Sequence, residues 1–173
     1  MRIGYNVGSG QRPFTSNAEV DWTNVDKIQH PGMPVPDLLA DGAHLPVADG
    51  SADYFVLHHV LEHFWPPHAQ ELVKEAYRVL KPGGSLLVFV PDIRELAYKW
   101  LEGWMTTQLY VTSLMGAFMG HDEDRHKWGF DERSLFEFLG CAPWKLTKRF
   151  DWRVIPGSDL ARDFWVLDME CVR

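Results

Sequence analysis

The sequence predicts an α/β domain of three layers, with a mostly parallel sheet and an antiparallel hairpin strand at its C-terminal end. Three observations carry this. Short apolar runs of strand length recur through the first half, separated by turn residues. Residues 53–91 read as strand, helix, turn and strand, a βαβ unit whose crossover is right-handed. The end of the chain alternates apolar and polar residues, as an antiparallel edge pair does.

The elements follow in order. "RIGYNVG" is a first strand ending in glycine, "WTNVDKI" a second ending at Asp26, and "PDLLADG" a third ending at Asp41. "SADYFVLHHV" is a fourth, and its continuous apolar centre from Tyr54 to Leu57 suits a strand covered on both faces. Pro66 to Leu80 is the clearest helix. Prolines suit its first turn, and Ala69, Leu72, Val73, Ala76, Val79 and Leu80 recur at helical spacing. That leaves Glu71, Lys74, Glu75 and Arg78 outside, and "KPGG" stops the helix before the fifth strand, "SLLVFVP". Asp92 to Met119 is helical but irregular, "HDEDRHKWG" is a polar loop, and Asp131 to Leu139 is a helix capped by Asp131 and ended by Gly140. "WKLTKRF" and "DFWVLDMECV" close the sheet, with Trp165, Leu167, Met169 and Cys171 on one face and Asp168 and Glu170 on the other.

The 173 residues fit one domain, 1–173, with 92–130 as a helical lid or a substrate or oligomer insertion. A net charge of −7 argues against a broad polyanion-binding surface, so no nucleic acid is expected. Cys141 and Cys171 stand far apart and make neither a zinc motif nor a disulfide framework, which suits a reducing cytoplasm. No run is long and apolar enough for a membrane span, and the expectation is a soluble, cytoplasmic protein. Eight tryptophans point to a pocket or an interface, and a homodimer would account for some of them.

"NVGSGQRPF" follows the first strand, where an open parallel sheet binds ligands. A phosphate loop needs four residues between its glycines and then Gly-Lys, and this stretch has neither. A dinucleotide fingerprint needs a third glycine opening a helix, yet Pro13 follows and Trp22 comes soon after. An adenosyl ligand without phosphates needs close backbone approach and an acidic partner for its ribose, and Asp26 ends the next strand. A plain tight turn at Gly8 and Gly10 remains the simplest alternative.

Taken in order, "YNVGSG", "NVD", "LADGAHLPVADGSADYFVLHHVLEHF" and "LVKEAYRVLKPGGSLLVFVPD" resemble the motifs of class I S-adenosylmethionine-dependent methyltransferases, Rossmann-like enzymes. The variant it resembles is the compact type 11 kind, and the resemblance covers roughly Met1 to Asp92. It implies S-adenosyl-L-methionine as cofactor and S-adenosyl-L-homocysteine as product. By position it puts Asn6, Gly8, Ser9 and Gly10 near the methionine portion, Asp26 on the ribose, and Asp41, Gly42 and Ala43 beside the adenine. Leu45 would flank the base and His58 would lie beneath the sulfonium. The chain departs from the family in a very short first crossover and in Asn6, which stands where many relatives carry Asp or Glu. A more open cofactor site, or one completed by a partner subunit, is the expectation.

Methyl transfer from a sulfonium chiefly needs alignment of the nucleophile and exclusion of water, and a hydroxyl acceptor also needs a base. His58, Asp92, His121 and His126 are the candidates. One of His58 and His59 should be a packed strand residue, and Glu62 and His63 a structural pair in the following turn. "HDEDRH" matches no zinc spacing and reads as a solvated loop, so no metal is expected. The expected acceptor is a small molecule or glycan. The alternatives are a non-catalytic module binding a partner through its aromatic 92–130 segment, and an NAD-dependent enzyme on a related sheet.

Overall fold

The structure is a computed structural model that describes residues 1–29, 31–117, 122–150 and 165–173. Its strands are β1 Arg2–Val7, β2 Val20–Asp26, β3 Leu38–Leu39, β4 Ala52–His58, β5 Leu80–Pro91, β6 Leu146–Arg149 and β7 Val166–Val172. Its helices are α1 Pro66–Val79, α2 Ile93–Leu101, α3 Thr107–Met115 and α4 Glu132–Leu139. One sheet runs β3-β2-β1-β4-β5-β7-β6. β1 to β5 are parallel, and β7 pairs antiparallel with both β5 and β6. The predicted mostly parallel sheet with an antiparallel C-terminal hairpin is therefore present.

The strand order reverses between β1 and β4, so their carboxyl ends part and leave a crevice. On one face α1 lays Ala69, Leu72, Val73, Ala76 and Val79 over Phe55, Leu57, Leu86 and Val88, with Leu135 and Leu139 of α4 beside them. Each large side chain so buried contributes about 1.5–3 kcal/mol. The periodicity of α1 misleads at one position. Glu75 is buried, because its carboxylate accepts from the Leu45 N–H at 2.7 Å and from Arg78 at 2.7 Å.

The opposite face holds Phe14, Val20, Trp22, Val56, Leu87, Phe89 and Val166. Here a loop does what a helix usually does. Residues 8–19 join β1 to β2, and Phe14 packs edge-on against Trp22 at 4.8 Å. Gly4 pairs with Trp22 on one side and Tyr54 on the other, and a Cβ on Gly4 would collide with the Trp22 indole. That missing side chain leaves a trough in which Trp22 stacks on Tyr54 at 6.0 Å.

The loop is held by amides. Asn24 accepts from Phe14 N–H at 2.7 Å and from Asn6 Nδ2 at 3.0 Å, while its own Nδ2 donates to the Phe14 carbonyl and to Asp37. Asn6 Nδ2 also donates to the Arg12 carbonyl at 2.9 Å.

Some boundaries differ from the sequence reading. β3 keeps only Leu38–Leu39 and stops before Asp41. α1 ends at Val79, and Lys81 to Gly84 belong to β5 as an irregularity beside Ala52 rather than forming a turn before it. Trp165 precedes β7 and packs with the second face, so the alternation begins only at Val166. The irregular stretch after Pro91 resolves into α2 and α3, joined by Trp100 stacked on Tyr110 at 5.0 Å. Asp131 and Ser134 form the expected capping box of α4.

Asn24→Ala should lower stability by about 2–3 kcal/mol, because it strands the buried Phe14 N–H. For a domain of this size that corresponds to a thermal midpoint about 5–10 °C lower in circular dichroism; a shift under ~2 °C would count against the hub.

Candidate active site

The crevice at the carboxyl ends of β1, β2 and β4 forms a groove with two compartments. The inner one, about 80 Å³, is lined by Val7, Gly8, Asp26, Lys27, Asp41, Gly42, Ala43, Phe64 and His68, among others. The outer one, about 410 Å³, shares Gly8, Asp26, Lys27 and His68 and extends to His59, His63, Trp65, Glu123, Asp124 and Lys127.

Gly8 turns the chain at φ +71°, and a Cβ there would lie 2.6 Å from Val60. Only glycine combines that left-handed backbone with so close an approach. Gly8 and Ser9 donate their N–H groups to the Val25 carbonyl, and Gly10 donates to Asp26 Oδ2 at 2.9 Å. Asp26 Oδ1 takes the Ile28 N–H at 3.2 Å. The acidic residue and the glycine turn are thus one hydrogen-bonded unit.

Asp41 accepts from the Ala43 N–H at 3.0 Å and pairs with Lys27 at 2.9 Å. Burial alone would raise the Asp41 carboxyl; the Ala43 N–H and Lys27 outweigh it and hold it below its usual value. Lys27 is 59% exposed, and an ion pair so open to water contributes at most about 1 kcal/mol.

β4 ends in a sharp reversal. His59 adopts φ +56°, the only non-glycine residue among those described with a positive φ. A side chain in that region is strained and is retained only where its surroundings hold it. Here its N–H donates to the Phe89 carbonyl and its Nδ1 lies 2.9 Å from Glu62 Oε1. Glu62 is 1% exposed, and its Oε2 has no hydrogen-bond partner among the described residues. Burial would favour the neutral acid, but the His59 hydrogen bond and the nearby His63 and His126 rings hold the carboxyl below its ordinary value. The Glu62 carbonyl accepts from both Lys127 and Trp128, which docks the 122–130 segment on this turn. His126 lies with Nε2 4.0 Å from Glu62 Oε1, and burial pushes it below its usual value against the pull of Glu62.

Of the residues the sequence singled out, the structure brings Gly8, Asp26, Asp41, Gly42 and Ala43 together on the inner compartment. Ser9 and Gly10 stand beside them through their backbone bonds. Asn6 and Leu45 lie elsewhere: Asn6 is buried in the Asn24 network, and Leu45 is a core residue bonded to Glu75. His58 turns to the second face, its ring 5.4 Å from Phe89, while His59 faces the groove. Asp92 caps α2, accepting from Arg94 and Glu95 N–H groups, and lines a separate cavity with Asp131 and Arg94. His121, and Phe118 of the aromatic segment, lie outside the described residues. Lys27, Val60, Phe64 and His68 were not anticipated. The signal for His68 was its place in the first turn of α1, the turn aimed at the carboxyl edge of the sheet.

Several known proteins resemble this chain in part. Residues 13–88 match the family described as "Methyltransferase domain". A Mycolicibacterium smegmatis protein named "Probable S-adenosylmethionine-dependent methyltransferase" is 44% identical where it aligns, over 59% of this chain and 47% of its own length. The Neisseria meningitidis ubiquinone/menaquinone biosynthesis C-methyltransferase UbiE is 33% identical, over 60% of this chain and 40% of its own. The chain thus spans about half the length, or less, of these curated relatives. Among solved structures, a Burkholderia thailandensis 1,6-didemethyltoxoflavin-N1-methyltransferase, crystallised with its substrate and S-adenosylhomocysteine, matches 99% of this chain and 71% of its own. The TM-score is 0.58 and the identity 14%. Over residues 13–88 this chain is similar to S-adenosylmethionine-dependent methyltransferases, and solved structures of that kind share its fold.

His58 allows a pH test. Burial and the neighbouring His59 push its pKa down from 6.5 to about 3. Its contribution is complete above the unfolded value and is lost as pH falls from about 6.5 towards 3. Going from pH 7 to pH 5 should therefore cost about 2 kcal/mol more in the native protein than in His58→Phe, measured by urea unfolding.

Proposed function

We propose that this chain is a methyltransferase domain that uses S-adenosyl-L-methionine and methylates a hydroxyl of a small molecule or glycan. The observation that carries the reading is the joining of Gly8, Asp26, Asp41, Gly42 and Ala43 on one inner compartment. The polar groups on this wall are of the kind an adenosyl group pairs with. Asp26 retains lone pairs for ribose hydroxyls after accepting one N–H on each oxygen. Asp41 can exchange its exposed Lys27 partner for the adenine amine at little cost. Two carboxylates also complement the positive charge of the sulfonium cofactor.

The cofactor, when bound, would supply an electrophilic methyl group to the acceptor oxygen, whose hydroxyl proton must then be taken up. His59, oriented through Nδ1 by Glu62 and facing the outer compartment, is placed to take that proton. The outer compartment, at about 410 Å³, is of the size that small-molecule sites have. Glu123, Asp124 and Lys127 line it, which supports 92–130 as the acceptor-side insertion.

A second reading rests on the α2–α3 pair. None of α3 is buried, and Leu101 and Trp104 are 75% and 70% exposed, as a docking surface for a partner or a second copy would be. A domain of that kind could bind cofactor without transferring a methyl group.

Calorimetry with S-adenosyl-L-methionine and S-adenosyl-L-homocysteine tests the first reading. Both should bind the native chain, and Asp26→Ala should weaken them about 10–100-fold, the loss of one charge-assisted hydrogen-bonding group. Absence of heat and of thermal stabilisation with either ligand would overturn it. Binding without methyl transfer to any extract fraction would favour the second reading.

A further inference from the structure

We propose that Glu62, His63 and His126 form a binding site for a divalent first-row transition-metal cation such as zinc. One carboxylate oxygen of Glu62 and one ring nitrogen of each histidine lie within 4.8 Å of one another. Ligands about 2.1 Å from a common ion stand roughly 3–3.5 Å apart, so side-chain adjustments of about 1 Å would close the set.

Two independent features point to an ion. First, the Glu62 carboxylate is buried and only half used. Oε1 meets His59, while Oε2 has no hydrogen-bond partner among the described residues. A buried carboxylate oxygen without a partner carries a desolvation cost that a cation removes. Second, both imidazoles are held in one tautomer by main-chain carbonyls. His63 Nδ1 donates to the Glu123 carbonyl at 2.8 Å, and His126 Nδ1 donates to the Leu114 carbonyl at 3.2 Å. Each Nε2 then carries a lone pair, the arrangement that orients metal-bound histidines. His59 plays the matching part for the carboxylate.

Two imidazoles and one carboxylate suit zinc, iron or cobalt rather than calcium or magnesium, which prefer all-oxygen shells. The acidic run Asp122 to Asp124 does not join the set; its contribution is the Glu123 carbonyl. Three protein ligands leave at least one coordination position open. His63 also lines the outer compartment, so that position borders the cavity where an acceptor oxygen or a water would sit. Only this last placement rests on the proposed function; ion binding does not.

The full chain, stripped with chelator and dialysed, should bind one equivalent of Zn²⁺ saturably in calorimetry. With Co²⁺ it should show the visible absorption of a nitrogen- and oxygen-ligated ion of low coordination number. Glu62→Gln, which keeps the shape of the side chain, and His126→Ala should each weaken Zn²⁺ at least tenfold and abolish the cobalt bands. His44→Gln, at an exposed histidine outside the cluster, should change neither. The proposal is overturned if the native chain retains no equivalent of either metal, or if both cluster variants bind like the native chain. It is equally overturned if His44→Gln loses the ion as they do, which would mark scattered surface binding. Failure of the cofactor titration with intact Zn²⁺ binding would count against the methyltransferase reading alone.

Discussion

The buried side-chain amide of Asn24 is the constraint on which the rest depends. A strand residue facing an apolar layer would ordinarily be a Val or Ile, and an unsatisfied amide there would cost several kcal/mol. Asn24 is tolerated because four hydrogen bonds from three neighbours complete it: Phe14 twice, Asn6 and Asp37. In return it converts a loop into a wall. With residues 8–19 fixed, Phe14 covers Trp22, Trp22 lies in the trough over Gly4, and Gly10 meets the Asp26 carboxylate. The inner compartment of the groove follows from that sequence of contacts.

The outer compartment has a different keystone. Glu62 binds the left-handed His59 through its side chain and the 122–130 segment through its carbonyl. A residue 1% exposed thus joins the end of β4 to an element more than sixty positions on in the chain. The two keystones are independent. One shapes the inner compartment by side-chain amide hydrogen bonds among β1, β2 and the loops beside them, and the other shapes the outer compartment by the contacts of Glu62.

How much of this could be read beforehand depends on whether local pattern or tertiary contact decides. Strands β4 and β5 were legible because buried parallel strands carry continuous apolar runs, β1 and β2 because short strand-like stretches end in glycine or acid, and α1 because its apolar row recurs at helical spacing. The acidic and glycine positions of the inner compartment were legible because they sit at strand ends. The histidines were not. Strand alternation cannot tell His58 from His59, since the left-handed turn at His59 breaks the parity on which alternation rests. Asp92 illustrates another ambiguity: an acid just past a strand looks the same whether it serves a substrate or caps the next helix. Glu75 is a third, its inward reach set by Leu45 and Arg78 rather than by its helical phase.

The helix-free crossover between β1 and β2 has a consequence for turnover. Where a long helix or a hinged flap covers a cofactor, exchange waits on that element to swing aside, a microsecond-to-millisecond event. Residues 8–19 lie flat on the second face, tied to β2 rather than folded over the strand ends. A spent ligand could then leave along the open edge by desolvation and diffusion alone. If the inner compartment holds a cofactor as proposed, its occupancy would then follow the surrounding concentration without waiting on such an element.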